Sequence, residues 1–411
     1  MAKTAAPPLT SDEARPVLPR TWDVAGKAAA IDALVRNLRA DLALAHSLTQ
    51  QAQVREALSR TELTLALHEA LRGRAAAQAN ARVHAAARMA ARAGTLPKPP
   101  GPERLGELLA RGAAGQAQLI AEHGLWRGAD LKAIEDYVQR GADPAATPDI
   151  LFDQAWYLAS HPDAAEKGLS PLVHYILHGA QTDAPTHPLF DARGYRERHG
   201  AELGAVTPLA HFVNVGAWRG SDPHLLFDVA HYASQGADPA PDEDPLSHYL
   251  RQGWRDDLSP HPLFDVAWYR RQAPRRARTV APLLHYLTDG WRARLSTHPL
   301  FDPSWYLEQY PDVAEAGSDP LGHFLTTGAN EGRSPGPWFD VPHYVAARGD
   351  ALGPTANPLV DYLQGGAWSV GEARPGFPTA AYLARSPELV GQGMTPLEHW
   401  ARNAVPATGT S

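Results

Sequence analysis

The pair Phe-Asp recurs at Phe152-Asp153, Phe190-Asp191, Phe227-Asp228, Phe264-Asp265, Phe301-Asp302 and Phe339-Asp340, at spacings of 38, 37, 37, 37 and 38 residues. A degenerate seventh copy begins at Phe377. A second marker, mostly Pro-Leu-x-His-aromatic, starts at Pro171, Pro208, Pro245, Pro282, Pro320, Pro358 and Pro396, and keeps spacings of 37, 37, 37, 38, 38 and 38. Two independent markers holding one period define a tandem array. Inside it the pentapeptide HPLFD appears at His187–Asp191, His261–Asp265 and His298–Asp302, with HLLFD at His224–Asp228.

The unit FDPSWYLEQYPDVAEAGSDPLGHFLTTGANEGR parses as two short helices. Asp302 is placed to cap the first, with Pro303 at its first position, where a missing N–H costs nothing. Trp305, Tyr306 and Leu307 supply apolar mass, and Pro311 ends or kinks the segment. Asp319 and Pro320 repeat this grammar for the second helix, whose Leu321, Phe324 and Leu325 share a face. Gly328 is expected in the left-handed position that closes a helix. The HPL before each Phe-Asp reads as an extended connector between units. Helices of about two turns do not stand alone, so each must bury its face on a neighbour. The expected fold is all-α: long N-terminal helices with coiled-coil character, then an α-helical solenoid of about seven 37–38-residue helix pairs.

The predicted layout is a disordered tail over 1–20, a helical or coiled-coil region over 21–94, a stiff Pro-rich linker over 95–103, a divergent N-terminal cap half-repeat over 104–144, the array over 145–403 and a tail over 404–411. The cap rests on AIEDYVQRG at Ala133–Gly141, which aligns with PLVDYLQGG at Pro358–Gly366. Trp22 to Ala93 holds no proline and is rich in good helix formers, which suggests a stalk that makes homo-oligomers. Charge divides along the same boundary. Residues 1–103 carry 14 Lys+Arg against 9 Asp+Glu, a net of +5, while the rest carries 24 against 36, a net of −12. Between Ala70 and Pro102 lie Arg72, Arg74, Arg82, Arg88, Arg92 and Lys98 with no acid. This stretch, helix 70–98, reads as a solvated face or as a contact with an acidic membrane surface or an acidic partner. Nucleic acid is disfavoured, because no aromatic interleaving or recognition motif accompanies the charge.

Three sets of residues invite chemistry. The first is the ladder His174, His211, His248, His285, His323 and His399, with Asp361 at the same place in the sixth unit. At ~3.6 residues per turn, His323 falls about 100° from Phe324, off the main apolar face. Stacked repeats hold such residues too far apart to share a metal. The architectural reading is a buried imidazole bonded to a carboxylate, the Phe-Asp aspartate being the candidate. The second is the row Trp218, Trp254, Trp291 and Trp368 after the glycine turns, read either as inter-repeat packing or as platforms for sugar rings. The third is the fourth unit, where Arg270, Arg271, Arg275, Arg276, Arg278, Arg292 and Arg294 face only Asp265 and Asp289, a net of +5 inside an acidic array. Guanidinium forks suit carboxylate or phosphate, so this unit is a candidate anionic-ligand patch, against drift on a solvated loop.

The absence of cysteine excludes disulfides and thiolate chemistry. Nucleotide-binding, P-loop, zinc-protease, nucleophile-elbow and EF-hand motifs are missing, so no catalytic residue, cofactor or metal is assigned. No run of 18 apolar residues occurs, and the N-terminus lacks an apolar signal core. The expected location is the cytoplasm, with a peripheral membrane association left open.

The unit FDPSWYLEQYPDVAEAGSDPLGHFLTTGANEGRSPGPWFD resembles repeats of bacterial surface-polysaccharide biosynthesis proteins, where they lie beside or within large glycosyltransferases and rhamnan-synthesis-type proteins. Similar repeats also look like those of some secreted calcium-binding or S-layer-like proteins. The resemblance covers about residues 145–403 and carries no catalytic residue. Units four and six depart from it, one lacking Pro-Asp-Val and the other the histidine. It implies a non-catalytic solenoid scaffold for glycan assembly, with protein partners that include glycosyltransferases and with glycan or acidic ligands. Two alternatives remain open: a glycosyltransferase or accessory glycan enzyme using repeat His, Asp and Arg residues, and a calcium-binding surface protein.

Overall fold

A computed structural model describes residues 77, 80–126, 130–143, 148, 151–240, 243–370, 372–386, 388–392 and 394–404. The tails, the coiled coil expected before residue 77, and Arg72 and Arg74 lie outside these residues. The described residues form helices and short turns, with isolated bridges but no sheet, so the protein is all-α. They belong to one compact unit, His68–Ser411.

Each Phe-Asp opens a short helix for the expected reason. The carboxylates of Asp153, Asp191, Asp228, Asp265, Asp302 and Asp340 accept from the backbone amide three residues on, inside the helices Gln154–Ser160, Ala192–Leu203, Val229–Ser234, Val266–Gln272, Pro303–Gln309 and Val341–Arg348. That satisfies one of the free donors of a first turn. The second helices start at the proline of each Pro-Leu marker, and Thr207, Asp244, Asp319 and Asn357 each cap one of them. Pro311 does more than stop a helix: it opens a further one, Pro311–Glu315, so the fifth unit holds three helices.

The HPL connector is a turn, not an extended strand. The Phe amide donates to the His carbonyl three residues back at 2.9–3.0 Å in His187–Phe190, His224–Phe227, His261–Phe264 and His298–Phe301. Proline's fixed φ suits the second position of such a turn. The imidazole closes it from inside, because His187, His224, His261 and His298 Nδ1 each accept the amide of the following Leu at 3.0–3.2 Å. Each turn is then tied to the unit before it. The amides of Asp153, Asp191, Asp228, Asp265 and Asp302 donate to the carbonyls of Thr186, Pro223, Pro260, Thr297 and Pro335 at 2.8–3.0 Å. Leu189, Phe190, Leu226, Phe227, Leu263, Phe264, Leu300 and Phe301 are almost wholly buried, which makes the pentapeptide a core plug, a turn and a cap in one.

The second helices widen part-way. From Phe212, Tyr249, Tyr286 and Phe324 the backbone bonds reach five residues ahead, as in Ala329 N–H to Phe324 O at 3.0 Å. Gly328 is not left-handed, contrary to expectation. Positive φ falls later, at Asp183, Gly220, Asp257, Arg294 and Gly332, which are 37 or 38 residues apart. The aromatic residue of this helix faces the next unit: the Tyr249 hydroxyl accepts the Leu283 amide at 3.1 Å, and Tyr362 accepts that of Leu397 at 3.2 Å. Tyr137, in the helix Leu131–Arg140, does the same for Leu172 at 3.3 Å. The divergent segment therefore starts the stack with the same joint.

The array curls back on itself. Arg402 Nη2 of the last unit donates to Asp265 of the fourth, 137 positions earlier, and to Glu398 at 2.7 Å. Glu398 also stands 3.8 Å from His298 Nε2. The helix over residues 80–90 is docked on the repeats: Ala85 and Met89 are buried, Arg82 donates to Gln364 at 3.3 Å, and Gly94 N–H donates to Asn214 O at 3.0 Å. The stretch expected to link a separate stalk to the array thus follows a helix already packed against it.

Candidate functional site

The histidine ladder has a tyrosine for a partner, not the Phe-Asp aspartate. The Tyr157, Tyr195, Tyr232, Tyr269, Tyr306 and Tyr382 hydroxyls bond Nδ1 of His174, His211, His248, His285, His323 and His399 at 2.6–2.9 Å. The aspartate is already engaged as a helix cap, and the tyrosine of the same first helix is the group that reaches across. In the first unit His174 Nε2 stands 3.2 Å from Asp163 Oδ2, so that nitrogen carries the proton and Tyr157 O–H donates to Nδ1. Burial holds His174, His211 and His248 below the usual imidazole range, and burial drives Tyr195, Tyr232 and Tyr269 upward. The clasps of the first three units are therefore neutral.

The sixth unit solves the same problem with charge. Tyr344 O–H donates to Asp361 Oδ2 at 2.5 Å, and Arg348 grips both carboxylate oxygens at 2.7 and 3.0 Å. The departure from His to Asp is matched by an arginine one helix earlier.

The tryptophans divide. Trp218 and Trp254 are 1% and 4% exposed, and Trp218 Nε1 donates to Val213 O at 2.9 Å, so their faces are occupied by protein. Trp291 and Trp368 are half-buried. Arginines lie over several of the rings: Arg255 over Trp254 at 4.3 Å, Arg271 over Trp268 at 5.1 Å and Arg292 over Trp291 at 4.2 Å. Cation–π contact of this kind steadies a guanidinium without using its hydrogen-bonding fork. In the fourth unit Arg271, Arg275, Arg278, Arg292 and Arg294 are exposed. Arg270 is paired with Asp257 at 2.8 Å, while the Arg276 side chain lies outside what the structure describes. Five arginines of this unit are thus open to solvent.

A second place was not anticipated. Where the array curls closed, a cavity of about 330 Å³ is lined by Arg82, His231, Gln235, His261, Asp265, His298, Gln364 and Glu398, with Ser234 and Ser259. Burial lowers His231 to about 4 and His261 to about 3. It lowers His298 too, with Glu398 opposing. The Arg402 guanidinium and capping bonds hold Asp265 ionised against its burial. The turn histidines enter the site with a fixed tautomer: Nδ1 of His261 and His298 accepts a backbone amide, so Nε2 carries the hydrogen. One sequence signal pointed here. His231 stands where three sister units carry Trp156, Trp268 and Trp305, while two others carry Gly194 and His343.

Among the described residues, no cluster of three or more His, Asp and Glu is able to hold a metal ion, and no helix is long and apolar enough to cross a membrane. Fold and site define an α-helical repeat protein whose last unit touches its fourth, with exposed arginines on the fourth unit and a cavity lined by charged, polar and apolar groups. Compared with known proteins, the chain matches no family model, no curated protein and no solved structure.

Proposed function

We propose that the chain is a non-catalytic interaction scaffold whose fourth unit docks an acidic partner, within the machinery that assembles a bacterial surface glycan. The observation that carries this reading is the outward display of Arg271, Arg275, Arg278, Arg292 and Arg294 on one unit of an otherwise acidic array. Elsewhere the recurring ionisable residues are engaged inside the fold as helix caps, turn closures and Tyr–His clasps. An exposed arginine fork binds carboxylate or phosphate in a bidentate manner, and stacking on Trp268 and Trp291 preorganises two of them. The link to glycan assembly rests on the likeness of the repeats, with a glycosyltransferase as the expected partner.

The test is in-cell crosslinking with mass spectrometry, comparing wild type with a variant carrying Arg275→Glu, Arg278→Glu and Arg292→Glu. Crosslinks from the fourth unit to an acidic surface of a glycan-building enzyme should vanish in the variant. Crosslinks that persist unchanged would remove the docking role.

A further inference from the structure

The inner cavity has a chemistry of its own, separate from the outer arginines. Its walls come from distant parts of the chain: Arg82 from the helix over residues 80–90, His231 to Gln235 from the third unit, Ser259 to Asp265 and His298 from the turns opening the fourth and fifth, Gln364 from the sixth and Glu398 from the seventh. Its volume of about 330 Å³ sits at the lower end of the ~300–1,000 Å³ usual for small-molecule clefts. Apolar side chains, those of Ala81, Pro262 and Leu363, share the lining with these polar groups.

Two properties select a ligand. The first is charge balance. The Asp265 and Glu398 carboxylates are both met by the Arg402 guanidinium, and Arg82 adds a second positive charge beside them. Arg402 is not itself in the lining but offsets these carboxylates from behind the wall, and with charges of both signs at the cavity a phosphate or an ammonium would each face a like charge. The second is alternation of hydrogen-bonding roles. Arg82 and the Nε2–H groups of His261 and His298 donate, the carboxylates accept, and Gln235, Gln364, Ser234 and Ser259 offer both roles.

One atom is left over. His231 Nε2 is sealed from bulk solvent and has no hydrogen-bond partner within the protein. A buried polar atom without a partner costs free energy. Its sister positions carry Trp156, Gly194, Trp268, Trp305 and His343, so the fold accepts several residues there and does not itself require a histidine.

We infer that this cavity is a binding site for a small, uncharged, hydroxyl-rich molecule of roughly monosaccharide size, with His231 Nε2 as one of its direct contacts. Hydroxyl groups donate and accept, so one such ligand answers Arg82, the imidazole N–H groups and the carboxylates together, and completes His231. An anion would satisfy only the donors, and a cation only the acceptors.

The experiment is saturation-transfer-difference NMR on the full chain with glucose, galactose, rhamnose, N-acetylglucosamine and sorbitol, alongside inorganic phosphate and spermidine. At least one neutral probe should give a specific signal, and phosphate and spermidine should neither give one nor displace it. His231→Phe, which restores the bulky aromatic character of three sister units, should weaken that probe at least tenfold. Gln364→Leu, in the wall from the sixth unit, should weaken it similarly. Circular dichroism melting checks folding, and Arg292→Glu on the outer face should bind as wild type does. Failure of every neutral probe, stronger binding of phosphate or spermidine, or undiminished binding in folded His231→Phe and Gln364→Leu would each overturn the assignment. The outer-face arginines are untouched in both cavity variants, so the outcome is independent of the docking test.

Discussion

The Tyr232 hydroxyl lies 2.6 Å from His248 Nδ1, and a Cβ placed on Gly253 would stand 1.8 Å from that same oxygen. Tyrosine, histidine and glycine form one device: the hydroxyl fills the room a side chain would take, and the imidazole holds it there. The relation recurs at Gly216 with Tyr195 (1.9 Å), Gly290 with Tyr269 (2.0 Å), Gly328 with Tyr306 (2.1 Å) and Gly366 with Tyr344 (2.0 Å). The conserved period of this glycine along the chain therefore comes from close approach, not from a left-handed backbone.

Gly253→Ala should be strongly destabilising, because neither the hydroxyl nor the backbone can yield without breaking the clasp. Overpacking of this sort costs about 1–3 kcal/mol. Gly106→Ala is the control: its Cβ meets nothing within 4 Å, and in mid-helix alanine is favoured by roughly 0.5–1 kcal/mol. Urea denaturation of the two variants should move the midpoint in opposite directions.

Tyr306→Phe removes the hydroxyl and leaves His323 Nδ1 without its partner, at a cost of about 1–3 kcal/mol. In the sixth unit Arg348→Ala should be costly as well, since it strands the Asp361 carboxylate against Tyr344. Adding Asp361→His to Arg348→Ala rebuilds the Tyr–His pair of the other units and should recover part of the loss. A double-mutant cycle by chemical denaturation reads this directly; additive effects would contradict it.

Acid should weaken the fold well before the carboxylates are neutralised. Burial lowers His187 and His224 to about 4 and His261 to about 3. The ordinary imidazole value is about 6.5. Between that value and the folded one, the unfolded chain binds the extra proton, so stability falls as pH drops, by roughly 1.4 kcal/mol per unit for each group fully in its window. Burial raises Asp222 to about 6 and raises Asp244 and Asp319. These work the other way, since the folded state then takes up the proton first. The imidazoles outweigh them, so the melting temperature should decline steadily from pH 7 to pH 4.5. A rise over that interval would contradict the neutral, buried assignment.

Closure of the array hangs on few contacts. Arg402→Ala removes the bond to Asp265 and leaves that mostly buried carboxylate uncompensated. The protein should open, seen as a larger radius of gyration in small-angle X-ray scattering, while helical circular dichroism is retained. Asp265→Asn should have a milder effect, because it removes the charge together with its pairing.

Much of the fold was legible from the residues. Asp302, Pro303 and Pro320 act locally, within one turn, so their spacing alone marks where helices begin. The His187 turn was misread as an extended connector, because the imidazole that closes it onto Leu189 depends on a side-chain rotamer no pattern displays. The fourth unit's arginines were visible as a charge anomaly, and their exposure follows from the cost of burying so many like charges. The cavity was not legible, for its residues come from six places in the chain.

The period, the all-helical class and the starts of the two main helices of each unit were written in the sequence, because capping and proline geometry operate between near neighbours. The partner of His323, the reason for Gly328 and the meeting of Arg402 with Asp265 were settled only by the tertiary structure. Small rotations from unit to unit add up along the stack, and that sum, which no single repeat encodes, decides which distant side chains share a wall.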